Sequence, residues 1–277
     1  MKIALPLGSV LGLAAIAFAT HAVGQSQPIV TPNAMTAPAA PRMSMSGYLP
    51  RGAAPDSLLL NPLPPAPHSA ALKRDEEAAR AAVKLRGTPR WEQATIDADL
   101  FSPTSTGVFS CAAGMTISAE TTPKLFAMLR KAGPDLALAV YPSKRHYQRP
   151  RPFMANHQPI CTPRDEAVLR SDGSYPSGHS AIGYGWGLIL AEVIPDRATQ
   201  LAARGRAFGD SRRVCNVHWL SDIEEGRIVA DAVLARLHAE AAFRADLDVA
   251  RAEVAALRTT AAKPDCAREN AALGTQN

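Results

Sequence analysis

The chain has 277 residues, 47% of them hydrophobic and 5% aromatic, with 30 lysines and arginines against 25 aspartates and glutamates for a formal charge of +5. That length suits one domain with a substantial core once an export signal is removed. The arginines are scattered among acidic residues and not clustered with aromatics, which argues against a nucleic-acid partner and for a solvated, mixed-charge surface.

Lys2, the apolar run from Ile3 to Ala19 and the small residues around Ala22 and Gly24 compose a tripartite export signal, so residues 1–24 are expected to be cleaved and the mature protein to be periplasmic or secreted. The run is rich in Ala and Gly, interrupted by Pro6 and shorter than the roughly 20 residues of a spanning helix, which disfavours a permanent anchor. No membrane partner is expected after cleavage. Residues 25–68 are crowded with Pro, Ala, Ser and Met, deny helix and sheet a continuous start, and read as a flexible or surface-hugging leader.

From Ala70 apolar residues recur at three and four, and alternating β-branched runs are nearly absent, so the fold class is all-α, a single domain over 69–258 followed by a tail over 259–277. The spacing predicts helices over about 69–86, 90–99, 102–112, 120–131, 134–147, 163–170, 178–194, 196–208, 217–238 and 240–258. Pro123, Pro134, Pro142, Pro163, Pro195 and Gly209 mark the breaks, since proline belongs at helix starts and glycine past their ends. Ala181 to Ile194 is the most hydrophobic stretch of the mature chain; too short to span a membrane, it is expected as a buried central helix.

All four cysteines, Cys111, Cys161, Cys215 and Cys266, lie in the mature part, the pattern expected for disulfides in an oxidising compartment, and none has CxxC metal spacing. Three pairings are open. If Arg151 and Arg212 converge on one site, Cys161 and Cys215 become neighbours because each follows one of those arginines closely, which leaves Cys111 for Cys266.

Three segments carry the chemistry: KRHYQRPRP (144–152), PSGH (176–179) and SRRVCNVHWLSD (211–222). Each by itself is weak; together and in this order they supply three fixed cations, two histidines and a carboxylate. Ser177 suits an N-cap, which leaves the amides of Gly178 and His179 and the positive end of the helix dipole facing an anion. Glycine at 178 keeps the backbone approachable. Asn216 is read as the cap of a helix whose first turn holds His218, with Asp222 four residues on to fix the ring tautomer and support positive charge as His218 bonds to phosphorus. Lys144, Arg151 and Arg212 would neutralise the non-bridging phosphate oxygens, arginine by bidentate forks and lysine as a point charge. No Asp/Glu/His cluster has two-metal spacing, so neither a metal nor another cofactor is expected. His68, His146, His157 and His238 have no comparable partners and are not expected in the site.

These residues resemble the bacterial class A non-specific acid phosphatases, exported members of the type 2 phosphatidic acid phosphatase superfamily that also holds the vanadium haloperoxidases. The resemblance runs over about residues 48–258, and GSYPSGH (173–179) and CNVHW (215–219) are similar to the acid-phosphatase branch in particular. It implies a helical bundle, a phosphohistidine on His218, a general acid at His179, orientation of His218 by Asp222, and phosphate binding by Lys144, Arg151, Arg212, Ser177 and Gly178. Two departures stand out: Ser180 where threonine is usual and Leu220 where glutamine usually follows the tryptophan.

The expected function is hydrolysis of small phosphate monoesters, with transfer to alcohols as a side activity and homo-oligomerisation left open. The rival readings are a vanadate-dependent haloperoxidase using the same anion cage and a phosphate- or phosphoester-binding protein without turnover. The second leaves His179 and the His218–Asp222 pair without a purpose.

Overall fold

The apolar stretch after PSGH forms the helix around which the others pack. In this computed structural model residues 46–275 are described, and the expected export signal (1–24) and the first part of the leader (25–45) lie outside them. In chain order the helices are α1 (Ser57–Leu60), α2 (Ala70–Val83), α3 (Pro89–Ile96), α4 (Ser110–Ala113), α5 (Pro123–Leu138), α6 (Tyr141–Tyr147), α7 (Pro152–Asn156), α8 (Glu166–Ser171), α9 (Gly178–Val193), α10 (Ala198–Val214), α11 (Leu220–Leu237), α12 (Ala241–Leu257) and α13 (Ala267–Leu273). Short 3₁₀ turns precede α4, α8 and α10. No strand occurs among the described residues, and none of their helices is long and apolar enough to cross a membrane.

Helix α9 starts cleanly because the Ser177 hydroxyl accepts the Ser180 amide at 3.2 Å. Ile182, Trp186, Ile189, Leu190 and Val193 are buried against α5, α10 and α11. A large apolar side chain so buried contributes about 1.5–3 kcal/mol relative to exposure. Contact with α10 is backbone-close: a Cβ on Gly187 would lie 2.8 Å from the Leu201 carbonyl oxygen, and one on Gly205 2.9 Å from that of Gly183. This contact holds the N-terminus of α9 beside the C-terminal turn of α10, and with it PSGH beside Arg212.

Several helix boundaries differ from those expected. Helix α5 runs through Pro134, where a break was expected, because the proline forfeits one backbone bond while Leu125, Met128, Leu129, Ala132 and Leu136 stay buried along one face. The Trp186 indole donates to the neighbouring Leu129 carbonyl at 2.7 Å. Helix α10 likewise continues past Gly209 to Val214; that glycine is a packing residue, since a Cβ there would lie 3.1 Å from the Cβ of Ser180. The stretch 102–112 forms a 3₁₀ turn, Ser105–Phe109, before the short α4.

Residues 46–68, read as part of a flexible or surface-hugging leader, are bonded onto the helices. The Tyr48 amide donates to Asp135 at 2.7 Å and its hydroxyl to Asp246 at 2.8 Å, Ser57 accepts the Ser143 amide at 3.1 Å, and Asn61 donates to Glu225 at 2.8 Å. The tail beyond 258 is also attached: Cys266 is bonded to Cys111 at the foot of α13, and Glu269 pairs with the buried Arg204 at 3.2 Å. The second disulfide joins Cys161 to Cys215.

Candidate active site

Lys144 lies in the last turn of α6, Arg151 precedes α7, and Arg212 lies in the last turn of α10; all three are buried and line one cavity of about 780 Å³ with Gly178, His179 and His218. Asp172 offsets two of the cations, its Oδ2 lying 3.0 Å from Lys144 Nζ and 2.8 Å from Arg151 Nη2. Lys144 also donates to the Gly173 carbonyl. Arg151 is fixed further by the carbonyls of Leu169 at 2.8 Å, Asp172 at 3.0 Å and Val217 at 3.0 Å. Burial, then the charge of Arg151, pushes Lys144 down to about 8 and Arg212 down to about 9.

Arg212 is different from the other two. Its Nε and Nη1 are buried and no protein group accepts a hydrogen bond from them. Leaving such donors unmet costs about 1–3 kcal/mol each, more for charged groups, and an oxyanion in the cavity relieves that cost.

His218 does not sit in the first turn of a helix. Asn216 adopts a left-handed backbone conformation (φ 62°), and its side chain bonds Asn156 at 2.8 and 3.0 Å and the Gln158 carbonyl at 3.0 Å, so it pins the loop and caps nothing. Helix α11 begins two residues after His218, with Trp219 at the cap position and its amide donating to Asp222 Oδ2 at 2.8 Å. The His218–Asp222 contact forms nonetheless, Nδ1 to Oδ2 at 3.2 Å. Arg151 Nη1 lies 3.0 Å from Nε2. A guanidinium only donates, so Nε2 carries the lone pair and Nδ1 carries the proton bonded to Asp222. Burial, then Arg151 and Lys144, holds His218 well below the usual histidine range, which keeps the ring neutral.

Burial pushes the Asp222 carboxyl up, and Arg149 opposes that shift through a 2.6 Å bond to Oδ1. Arg149 in turn pairs with buried Asp75 of α2 at 2.7 Å, and Asp75 accepts the Ser221 amide at 2.8 Å. Arg149, Asp75 and Asp172 were not singled out by spacing. Arg149 was visible as an extra arginine in QRPRP, whereas nothing local marks the two aspartates.

His179 is the second residue of α9, and its Nε2 donates to the Ala98 carbonyl at 3.0 Å. That bond leaves Nδ1 as the atom for proton transfer. Burial, then Arg212, depresses its pKa well below the usual value. Ser177 is buried behind the cavity as the α9 cap. A Cβ at Gly178 would make only ordinary contact with Val140, 3.5 Å away, so glycine is not demanded by protein packing there. None of His68, His146, His157 or His238 lines the cavity. No three His, Cys, Asp or Glu side chains among the described residues are grouped to hold a metal ion.

A family model for the PAP2 superfamily matches residues 125–242, from α5 to the start of α12. The chain is 40% identical to an acid phosphatase of Zymomonas mobilis over 210 residues, 76% of this chain and 80% of that protein. It is 40% identical to a non-specific acid phosphatase of Salmonella typhi over 70% of this chain and 78% of that one, and 37% identical to one of Providencia stuartii over 76% and 86%. Relatives this similar over most of both chains establish the relationship: the chain belongs to the PAP2 superfamily, in the family of these bacterial acid phosphatases.

Proposed function

We propose that the protein is an exported acid phosphatase that hydrolyses phosphate monoesters through a phosphohistidine on His218. The observation that carries the reading is the unmet guanidinium of Arg212 in the same cavity as a neutral His218 whose Nε2 bears the lone pair. A phosphate dianion would take the free donors of Arg212 and draw the Arg151 donor away from Nε2, freeing the nucleophile as substrate binds.

In the first step Nε2 bonds to phosphorus and the ester bond breaks, its electrons going to the leaving oxygen, which takes the proton of His179 Nδ1. Positive charge on the phosphorylated ring is met by Asp222 through Nδ1–H. Water then bonds to phosphorus while giving a proton to His179, and the P–N electrons return to Nε2. Burial and the neighbouring Arg212 disfavour a charged His179; the substrate's own negative charge beside it would raise its pKa and equip it to donate. Lys144, Arg151 and Arg212 supply the positive charge that metal ions supply in other phosphatases, so turnover is proposed to be metal-independent. Alcohols able to replace water in the second step would accept the phosphoryl group.

Hydrolysis of p-nitrophenyl phosphate by dialysed, chelator-treated protein tests the metal-free mechanism. Undiminished activity is expected. Loss that is restored only by a divalent ion would reject it.

A further inference from the structure

The cavity is far larger than a phosphate group, at about 780 Å³ within the range that encloses a drug-sized ligand. Four of the nine large apolar side chains exposed among the described residues line it: Phe101 (72% exposed), Val168 (69%), Leu138 (43%) and Tyr141 (37%). They come from three helices, α5, α6 and α8, and from the loop after α3, so their convergence is a feature of the fold and not of one greasy segment. Exposed apolar side chains gathered at a cavity mouth mark a binding surface. We propose that Phe101, Leu138, Tyr141 and Val168 form an apolar subsite for the alcohol, which makes this protein prefer phosphate monoesters of arylalkyl alcohols over those of small or hydrophilic ones; this narrows the phosphatase reading and rests on it.

The mouth is hydrogen-bonded to the body of the fold. Arg130 of α5 donates to the carbonyls of Leu100 at 2.9 Å and Phe101 at 3.1 Å and to Ser105 at 3.0 Å, while Asp99 accepts the amides of Phe101 and Ser102 at 3.0 Å each. The loop that presents Phe101 is therefore clamped at both faces. Val168 precedes Leu169, whose carbonyl accepts Arg151 Nε at 2.8 Å, which fixes α8 to the phosphate floor. Leu138 and Tyr141 flank the α5–α6 junction, with Tyr141 one helical turn before Lys144. A phosphate held by the three cations thus lies in the same cavity as these four apolar side chains, two of them aromatic and suited to contact with a flat apolar group.

The test compares kcat/KM for the phosphates of three primary alcohols with similarly basic leaving oxygens: ethanol, propane-1,3-diol and 2-phenylethanol. Burial of the phenyl group predicts a preference for 2-phenylethyl over ethyl phosphate of about ten- to a hundredfold, with no gain for the diol ester. The double variant Phe101→Ser, Val168→Ser changes only exposed side chains and should lower that ratio at least about threefold. Equal values for the three esters, or a ratio unchanged in the double variant, would overturn the proposal. Calorimetric binding of 2-phenylethylphosphonate and ethylphosphonate reads the subsite without turnover. A protein that hydrolysed no ester would sink the phosphatase reading, while the phosphonate pair still decides the subsite: tighter binding of the phenyl compound by about tenfold or more supports it, and equal binding overturns it.

Discussion

Arg149 holds the Asp222 carboxylate from the side opposite His218, at 2.6 Å to Oδ1, while Oδ2 faces the imidazole at 3.2 Å. The carboxylate that fixes the His218 tautomer is itself fixed, and both Arg149 and Asp222 are almost wholly buried. Without Arg149, burial would drive Asp222 further toward its neutral form, and a protonated carboxyl supports positive charge on His218 poorly. Arg149→Met is predicted to lower kcat by about 10²-fold or more and to destabilise the fold by about 3–5 kcal/mol, the usual consequence of orphaning a buried charge. Asp222→Asn, which keeps the shape, should lower kcat by a similar factor with a smaller loss of stability. Steady-state kinetics with chemical denaturation checks both.

Arg212 is predicted to trade stability for binding. Replacing it with Met removes two unmet buried donors and should raise the denaturation free energy of the ligand-free protein by on the order of 1–3 kcal/mol. Millimolar inorganic phosphate is expected to raise the Tm of the wild type, and the same change should abolish that rise. Thermal melts with and without phosphate read both effects, and a Met variant still stabilised by phosphate would remove Arg212 from the site.

Lys144 predicts an alkaline limit. With its pKa pushed down to about 8, the lysine loses its charge as pH rises through that value, where inorganic phosphate is already the dianion, so inhibition by phosphate should weaken there. Lys144→Arg should move the limit to higher pH. The sign for stability is opposite: between about 8 and the ordinary lysine value the unfolded chain holds the extra proton, so the Lys144 contribution to stability increases with pH across that window.

His179 is predicted to matter in proportion to how badly the leaving group needs a proton. His179→Gln should depress hydrolysis of alkyl phosphates by about 10²–10⁴-fold and that of p-nitrophenyl phosphate much less, because nitrophenolate departs unprotonated. Equal losses on both would remove the general-acid role.

The all-α class and the central helix were legible because apolar periodicity reports burial directly, and the three motif segments were legible because their members lie within a few residues of one another. The partners of those residues were not. Asp75 and Asp172 meet Arg149 and Arg151 across gaps that only the packing of α2 and α8 closes, and isolated aspartates in amphipathic stretches look like solvated surface. Pro134 and Gly209 misled for a shared reason: tertiary contacts outweigh a local breaker when one helix face is fully buried. Asn216 misled because capping and left-handed turns favour the same side chain, and the choice between them is made by Asn156, sixty residues away.

In the proposed reaction phosphorus becomes bonded to His218. Mixing the protein with excess p-nitrophenyl phosphate, quenching within milliseconds in alkaline denaturant, where phosphohistidine survives, and sequencing the peptides by mass spectrometry tests it most directly. The wild type should carry phosphate on the peptide containing His218, with the label absent after an acid quench and absent in His218→Ala under either condition. Phosphate on another residue, or a phosphoenzyme that persists in His218→Ala, would contradict the account.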